Sequence, residues 1–553
     1  MRINVFEVGI VSLLLFAVGA GAASGLIGLF LAIGHLTALL ALFILVRNLV
    51  AKFSESAGKL LFALLALLLV IEASIQFLTG LHLNWFVVSL LMEGGLRQNT
   101  GLSPMLGGTA IILTVAGLYW LSTKVTMAAK SFAVSRLITV GLAAAISTQF
   151  IYAAAFYHGS TDAVQARRSM PFFWTAHPYQ SNKLLGYIFP DRGENPFSLS
   201  KIPEDNTAVA QEPAALVPIN DMAGVSPPNI LIVVTDSLRS KDLRSNPSLA
   251  PNLMAAGQKG HLALSHYSVS NCTHFSLYSM FTGTLPTSYG SARSQKRKAG
   301  ILPEISAAGY SVSTAESVSL DWYDLSDIIL PETVERWVGE NDDTLENDRQ
   351  VTANTIKQLQ IWQQSETPGL HIAYYHGTHF PYSETLGPSA APNLDLYKMA
   401  IGLFDTEFGK VLATLDELDI AGDTLVIFTS DHGEEFFEEA RVGHASRLSN
   451  EQVQVPLLVL GAPSSLAVPQ SHIGIPELIY SAIDPSRAVV PPSETVYLAS
   501  CGYDFPSAFS VINAGGRYDF EFDNGYLIPV DPQDGDQQTK MHKAATDLLT
   551  VIR

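Results

Sequence analysis

Residues 424–434 read TLVIFTSDHGE. Thr424 to Thr429 form a short apolar, β-branched run, and the polar group Ser430, Asp431, His432 and Glu434 follows at once. A run of this length closed by turn-forming residues reads as a fully buried strand. In open α/β sheets ligands bind beyond the carboxyl ends of the strands. The same grammar occurs twice more: residues 230–235, ILIVVT, run into Asp236, and residues 371–375, HIAYY, run into His376-Gly377-Thr378-His379. Further strands are expected at 261–266, 311–315 and 455–460, with helices of 3.6-residue apolar spacing at 348–364 and 394–417. Alternation of this kind argues for a mostly parallel central sheet covered by helices. The tail, with strands expected at 496–499, 509–513, 518–522 and 526–529, reads as a small antiparallel unit.

Working outward from that domain, the chain changes character. The 553 residues are 48 % apolar and 15 % charged, against about 25 % charged in an ordinary soluble protein. Residues 1–157 hold eight Lys/Arg and four acids, leaving 25 basic and 47 acidic residues in the remainder. The acidic bulk excludes nucleic acid as a partner, because phosphate backbones select basic surfaces. The N-terminal third contains apolar runs at roughly 5–25, 29–50, 58–79, 105–123 and 135–156, each near the ~20 residues a bilayer-spanning helix needs. A five-helix transmembrane domain over 1–157 is therefore expected, in preference to a cleaved leader ending near Ala22-Ala23. Arg47, Lys52 and Lys59 follow the second span and Lys124, Lys130 and Arg136 the fourth, whereas the other loops hold only Arg97. The positive-inside rule then places the C-terminal domain outside the cytoplasm. Glu72, inside the third span, sits near its outer end and reads as a snorkelling acid. Residues 158–226 read as a juxtamembrane arm and spacer, with Arg167-Arg168 and Phe172-Phe173-Trp174 suited to the headgroup level. The domain proper spans 227–553.

Asp236, Asp431 and His432 offer two carboxylates and an imidazole, a set suited to one zinc or manganese ion. A hydroxyl nucleophile needs activation, which a metal supplies. Thr273 lies in SVSNCTHFSLYSMFTG (268–283), a polar turn leading into a short helix, where backbone N–H groups favour an anionic ester. The plainer role for Thr273 is a helix N-cap. His379 and His444 are candidates to hold phosphate oxygens or protonate a leaving group. His376 reads as a strand-end histidine that is merely hydrogen-bonded, and Glu434 and Glu435 as solvated acids. Cys272 and Cys501 are too few for a disulfide scaffold; two buried thiols are preferred over one bridge.

These residues, in this chain order, resemble the alkaline phosphatase/sulfatase superfamily, and most of all its membrane-anchored branch of lipoteichoic acid synthases and phosphoethanolamine transferases. The resemblance is carried by Val233-Val-Thr-Asp236-Ser, Thr273 to Gly283, His379-Phe-Pro, Ser430-Asp-His-Gly-Glu434 and the twelve-residue step from His432 to His444. It implies an α/β sulfatase-like fold. It also implies Asp236, Thr273, Asp431 and His432 as metal ligands, Thr273 as nucleophile, and His379 and His444 at the transferred group. The expected activity is metal-dependent phosphoryl transfer or hydrolysis on a lipid or cell-envelope glycan, at a bacterial inner membrane with the domain in the periplasm. The whole-chain layout, including Leu81-His82-Leu83-Asn84 and the Arg167-Arg168 arm, also resembles inner-membrane sulfatase-family regulators that bind cardiolipin or lipopolysaccharide. That makes membrane-lipid sensing the alternative. Sulfuric-ester hydrolysis is a further alternative, and it is disfavoured. The formylglycine precursor pattern, Cys or Ser followed by x-Pro-x-Arg, is absent after Cys272, and ten residues back from Gly283 stands Thr273.

Overall fold

The computed structural model describes residues 4–19, 25–79, 82–83, 104–125, 133–158, several positions between 160 and 188, and 227–548 except 388–391, 439–441, 462–467, 485–492, 524–525, 531–538 and 541–542. Two compact units are present, one of residues 1–88, 102–202 and 520–542, the other of 89–101, 203–519 and 543–553. Arg97, Lys130, Arg168, Trp174, Asn84 and the spacer 191–226 lie outside the described residues.

In the first unit, helices occupy all five apolar stretches: α1 (Val5–Gly19), α2 (Gly25–Ala51), α3 (Glu55–Thr79), α4 (Pro104–Lys124) and α5 (Val134–Tyr157). Among the described residues, Gly25–Ala51, Glu55–Gln76 and Val134–Tyr157 are long and apolar enough to cross a membrane; Val5–Gly19 is shorter. Val11 and Leu15 of α1 pack with Phe43 and Ile44 of α2 and Phe62, Ala66 and Leu69 of α3. Two charged positions differ from their sequence reading. Glu72 does not snorkel: it is fully buried and accepts hydrogen bonds from His82 Nδ1 and the Leu83 N–H. Arg47, read as a loop cation, is buried within α2, its Nε 2.6 Å from Glu7 Oε2 and its Nη2 2.8 Å from Glu55 Oε1. An ion removed from water needs such a partner, and here two carboxylates provide it. Phe173 of the arm packs edge-on against Tyr152 and His35.

The second unit is built on a seven-stranded sheet ordered β2-β9-β6-β1-β5-β3-β4, comprising β1 (Asn229–Thr235), β2 (His261–Tyr267), β3 (Ser311–Glu316), β4 (Glu335–Val338), β5 (Gly369–Tyr375), β6 (Thr424–Ser430) and β9 (Gln454–Leu460). Pairings β6-β1-β5-β3-β4 are parallel, and β9 runs antiparallel between β6 and β2. Strands covered on both faces read as continuous apolar runs, and β5 and β6 are buried along their whole length. β4, with the sequence ERWV, escaped the sequence reading because it alternates little and sits at the edge. Helices Thr344–Gln364 and Leu394–Glu417 cover the sheet, bringing Leu359, Trp362, Phe404 and Phe408 onto Leu231, Val233 and Phe428. In the tail, β10 (Val496–Ala499) pairs antiparallel with β11 (Ala508–Asn513), and β12 (Gly516–Asp523) with β13 (Tyr526–Pro529), as expected.

Register positions the site. Thr235, the last residue of β1, pairs with Tyr375 on one side and Ser430 on the other. Residues 236, 376 and 431 therefore leave the sheet at one level.

Candidate active site

Asp236, Asp431 and His432 emerge from those adjoining strand ends, and each is at least 98 % buried. His432 Nε2 lies 3.5 Å from Asp431 Oδ2 and 3.8 Å from Asp236 Oδ1. Asp431 Oδ1 accepts from the backbone N–H groups of Ser237 (3.1 Å) and His432 (2.7 Å). Ser237 reaches it by adopting a left-handed φ of 63°, a strained backbone choice of the kind found at ligand clamps. The Ser237 hydroxyl donates to Asp236 Oδ1 at 2.8 Å, and the Tyr374 hydroxyl to Asp236 Oδ2 at 2.5 Å. Asp431 Oδ2 is buried and has no hydrogen-bond partner among the described residues.

Thr273 is the first residue of α6 (Thr273–Thr282), and Cys272, with extended backbone, is its N-cap. No side chain caps this helix, so the threonine hydroxyl is not spent on capping. It lies 3.3 Å from His432 Nε2 and also faces Asp431 and Tyr374. Ser276, one turn on, donates to the Asp431 carbonyl and receives His472 Nδ1–H at 3.0 Å, tying the helix to the 431–432 turn.

His444 arrives by a hairpin. β7 (Glu435–Phe436) pairs antiparallel with β8 (Val442–Gly443), with Glu435 opposite Gly443, so Glu434 and His444 face each other at 3.3 Å. The His444 ring lies 4.2 Å from His432, tilted, and 5.1 Å from His379, edge-on; His379 is 4.5 Å from His376. The structure thus brings together Asp236, Thr273, His379, Asp431, His432 and His444. It also gives other places to His376, Glu434 and Glu435 than the sequence reading did, and adds Tyr374. His376 Nε2 lies 3.6 Å from Asp236 Oδ2; the H-x-x-H step to His379 was the available signal. Glu434, read as solvated, is buried against His444, and Glu435, read the same way, is fully buried with Arg447 and Gln452. Tyr374 carried no signal in the sequence.

Charge follows from burial and neighbours. Burial, then the Asp236 charge, hold the Asp431 carboxyl well above the usual range. Burial also pushes Asp236 up, but His379, His376 and His432, with the Tyr374 hydroxyl, outweigh it and hold this carboxyl well below the usual range. Two carboxylates sharing one site separate in this way. Burial lowers His376 to about 3, aided by His379. For Glu434, burial is overcome by His444, which keeps the carboxyl below its ordinary value. Asp236, Asp431 and His432 place one donor atom each within 4.8 Å of one another, as do Asp236, His376 and His379. The orphaned Asp431 oxygen and the two-oxygen, one-nitrogen donor set fit a divalent cation.

The cysteines correct the sequence reading. Cys272 and Cys501 are not two thiols but a disulfide, with Cα atoms 5.5 Å apart and a sequence separation of 229. Both are buried, and the bridge abuts Thr273 on its N-terminal side. A cysteine held in this bond is not available as a formylglycine precursor.

Residues 228–484 match the sulfatase family model. Mouse (Mus musculus) arylsulfatase K is 32 % identical over 95 residues, a segment that spans 17 % of this chain and 17 % of that protein. Among solved structures, the integral membrane lipooligosaccharide phosphoethanolamine transferase A of Neisseria meningitidis superposes with a TM-score of 0.54 at 14 % identity, covering 86 % of this chain and 95 % of that one. The lipoteichoic acid synthase LtaP of Listeria monocytogenes gives 0.43 at 14 % identity, covering 61 % and 95 %. The stretch that matches the sulfatase family model contains the strand-end acids and histidines gathered around Thr273.

Proposed function

We propose that this chain is a membrane-anchored, metal-dependent phosphoryl-group transferase or hydrolase that acts on a lipid or cell-envelope substrate, with Thr273 as nucleophile. The observation that carries the reading is the Thr273 hydroxyl. It is free of any capping role and lies 3.3 Å from His432 inside a donor set with an unpartnered carboxylate oxygen. Asp236, Thr273, Asp431 and His432 would hold one zinc or manganese ion. Once bound, such an ion lowers the pKa of a coordinated hydroxyl and neutralises charge on phosphoryl oxygens.

The chain's own groups do the rest. Thr273 Oγ, its proton lost to solvent, attacks phosphorus, and the bond from phosphorus to the leaving oxygen breaks. His379 or His444, whose rings lie beside the site, gives that oxygen a proton. Glu434 accepts from His444 Nδ1–H and so directs the other ring nitrogen inward. An acceptor hydroxyl or water then attacks the Thr273-linked phosphoryl group and restores the threonine.

Five spanning helices, with the second unit in the periplasm of a Gram-negative cell, complete the proposal. The Cys272–Cys501 disulfide supports an oxidising compartment. The likeness in fold to an integral membrane lipooligosaccharide phosphoethanolamine transferase makes a phospholipid or lipopolysaccharide partner the natural class to test. The test is intact-mass spectrometry of the full chain in detergent after incubation with bacterial phospholipids, with metal content measured in parallel. A mass adduct present in the parent and absent in Thr273→Ala supports covalent transfer and identifies the group. No adduct and no bound metal would leave lipid sensing as the better account.

A further inference from the structure

Gln452 lies in a short helix, Asn450–Val453, and is fully buried, as are Asn271 and Glu435. A primary amide offers two donors and two acceptor positions, and this one uses all of them. Nε2 donates to Glu435 Oε2 at 2.6 Å and to Ser446 Oγ at 2.7 Å. Oε1 accepts from Asn271 Nδ2 at 2.9 Å and from the Arg447 N–H at 3.5 Å. The main-chain carbonyl of Gln452 accepts the Gly433 N–H at 2.8 Å.

Each partner stands beside a residue of the candidate site. Asn271 comes two positions before Thr273, Gly433 follows His432, Glu435 follows Glu434, and Ser446 comes two positions after His444. Asn271 adds two ties of its own. Its Nδ2 donates to the Arg447 carbonyl at 2.8 Å, and its carbonyl accepts the Ala445 N–H at 3.0 Å. Successive side chains of an extended segment point to opposite sides, so Glu434 meets His444 while Glu435 turns to Gln452. A buried polar network satisfied throughout fixes one arrangement of the segments it joins.

The two sides of the site lean on this network unequally. The Thr273 turn is also held by the Cys272–Cys501 bond and by Ser276 on the Asp431 carbonyl. The segment 444–447 is tied instead by Glu434, Asn271, Glu435 and Gln452. We infer that Gln452 is a positioning residue that keeps the His444 ring at the leaving oxygen. The inference rests on the proposed role of His444 as proton donor, and Gln452 acts only through that ring. A general acid contributes about 10²–10⁴-fold, and a displacement of about 1 Å costs about 100-fold. An alkoxide leaving group needs the proton; a p-nitrophenolate departs without it.

The test follows leaving-group release in a single turnover by the full chain in detergent with zinc. The two probes are dioctanoyl phosphatidylethanolamine, which leaves as an alkoxide, and bis(p-nitrophenyl) phosphate. Gln452→Met, like His444→Ala, is expected to lose about 10–100-fold on the phospholipid and far less on the aryl ester. If His444→Ala shows that difference and Gln452→Met does not, the inference is overturned and the proposed function stands. If His444→Ala loses both esters alike, or the parent releases neither, the proposed role of His444 fails and the inference with it. Should Gln452→Met not fold, the exchange Gln452→Glu/Glu435→Gln decides, because it keeps the hydrogen bond between the two positions with its direction reversed. The exchange is expected to regain the phospholipid turnover that Gln452→Glu alone loses, and no regain overturns the inference.

Discussion

Removing the Cys272–Cys501 bridge tests whether the second unit depends on a cross-link the sequence reading did not favour. The bridge closes a loop of 229 residues. The chain-entropy relation gives a loss of about 18 cal/mol/K from the unfolded ensemble for that length, or about 5 kcal/mol at 25 °C. Local hydrogen bonds keep the joined segments together once the bond is gone. Ala499 N–H donates to the Val269 carbonyl at 2.7 Å, and Cys501 N–H to Asn271 Oδ1 at 2.8 Å. The Cys272→Ala/Cys501→Ala pair is therefore expected to keep the native site geometry and to lose stability mainly through a freer unfolded state. The assay is urea unfolding of the full chain in detergent, followed by tryptophan fluorescence, with the oxidised parent, the reduced parent and the double variant compared. An intact mass two hydrogens heavier after reduction confirms the bond. A loss of about 2–5 kcal/mol is expected. A double variant within about 0.5 kcal/mol of the parent, or no mass change on reduction, refutes the reasoning.

Thr273→Ala is expected to abolish the covalent adduct and lower turnover by about a thousandfold or more, while Thr273→Ser restores a measurable adduct; adduct formation in Thr273→Ala sinks the nucleophile. Chelation with EDTA should remove activity and lower the unfolding midpoint, and zinc or manganese should restore both, because a ligand that binds only the folded state stabilises it. Glu434→Gln should lower turnover about 10–100-fold by releasing His444; unchanged turnover refutes the pairing. Burial pushes the Asp348 carboxyl up to about 7, even though it accepts the N–H groups of His376 and Gly377. Between about pH 4 and 7 the native state then holds a proton that the unfolded state has lost. Stability should fall as pH rises through that window, by up to about 4 kcal/mol, and Asp348→Asn should flatten the slope.

How far the sequence carried the reading depended on the kind of signal. β1, β5 and β6 were legible because strands buried on both faces need uninterrupted apolar runs, and their ends were legible because Asp236, His376 and Asp431 follow with no intervening residue. β4 was not, since an edge strand of four residues with Glu335 and Arg336 exposed carries no periodicity. The site residues taken from chain order were brought together, but the groups that orient them were not visible. Glu434 reads as a polar loop acid until the β7-β8 hairpin turns it onto His444. Tyr374 reads as one apolar residue in a strand until its hydroxyl meets Asp236. The same limit misled the reading of Glu72, Arg47 and the cysteines, because each depends on a partner brought near by folding. Composition and periodicity report what one residue prefers; they say nothing of which residue will stand opposite.

The two strand-end acids show why that distinction matters for function. Asp236 and Asp431 are both buried, and a pair of carboxylates in one dry pocket cannot both ionise without a compensating charge. The chain supplies part of it. The Ser237 and Tyr374 hydroxyls donate to Asp236, while two backbone N–H groups serve Asp431 Oδ1 and leave its Oδ2 without a hydrogen-bond partner among the described residues. A pocket that served only to join three strands would be more stable with apolar side chains there. Strained backbone at Ser237, an orphaned oxygen and a helix-start threonine turned to His432 all lie within one cluster. On the proposed function, all three follow from a site arranged for positive charge first and for a phosphoryl group second. Replacing Asp431 by Asn should therefore stabilise the metal-free fold while destroying metal retention, and a variant that lost both together would contradict the argument.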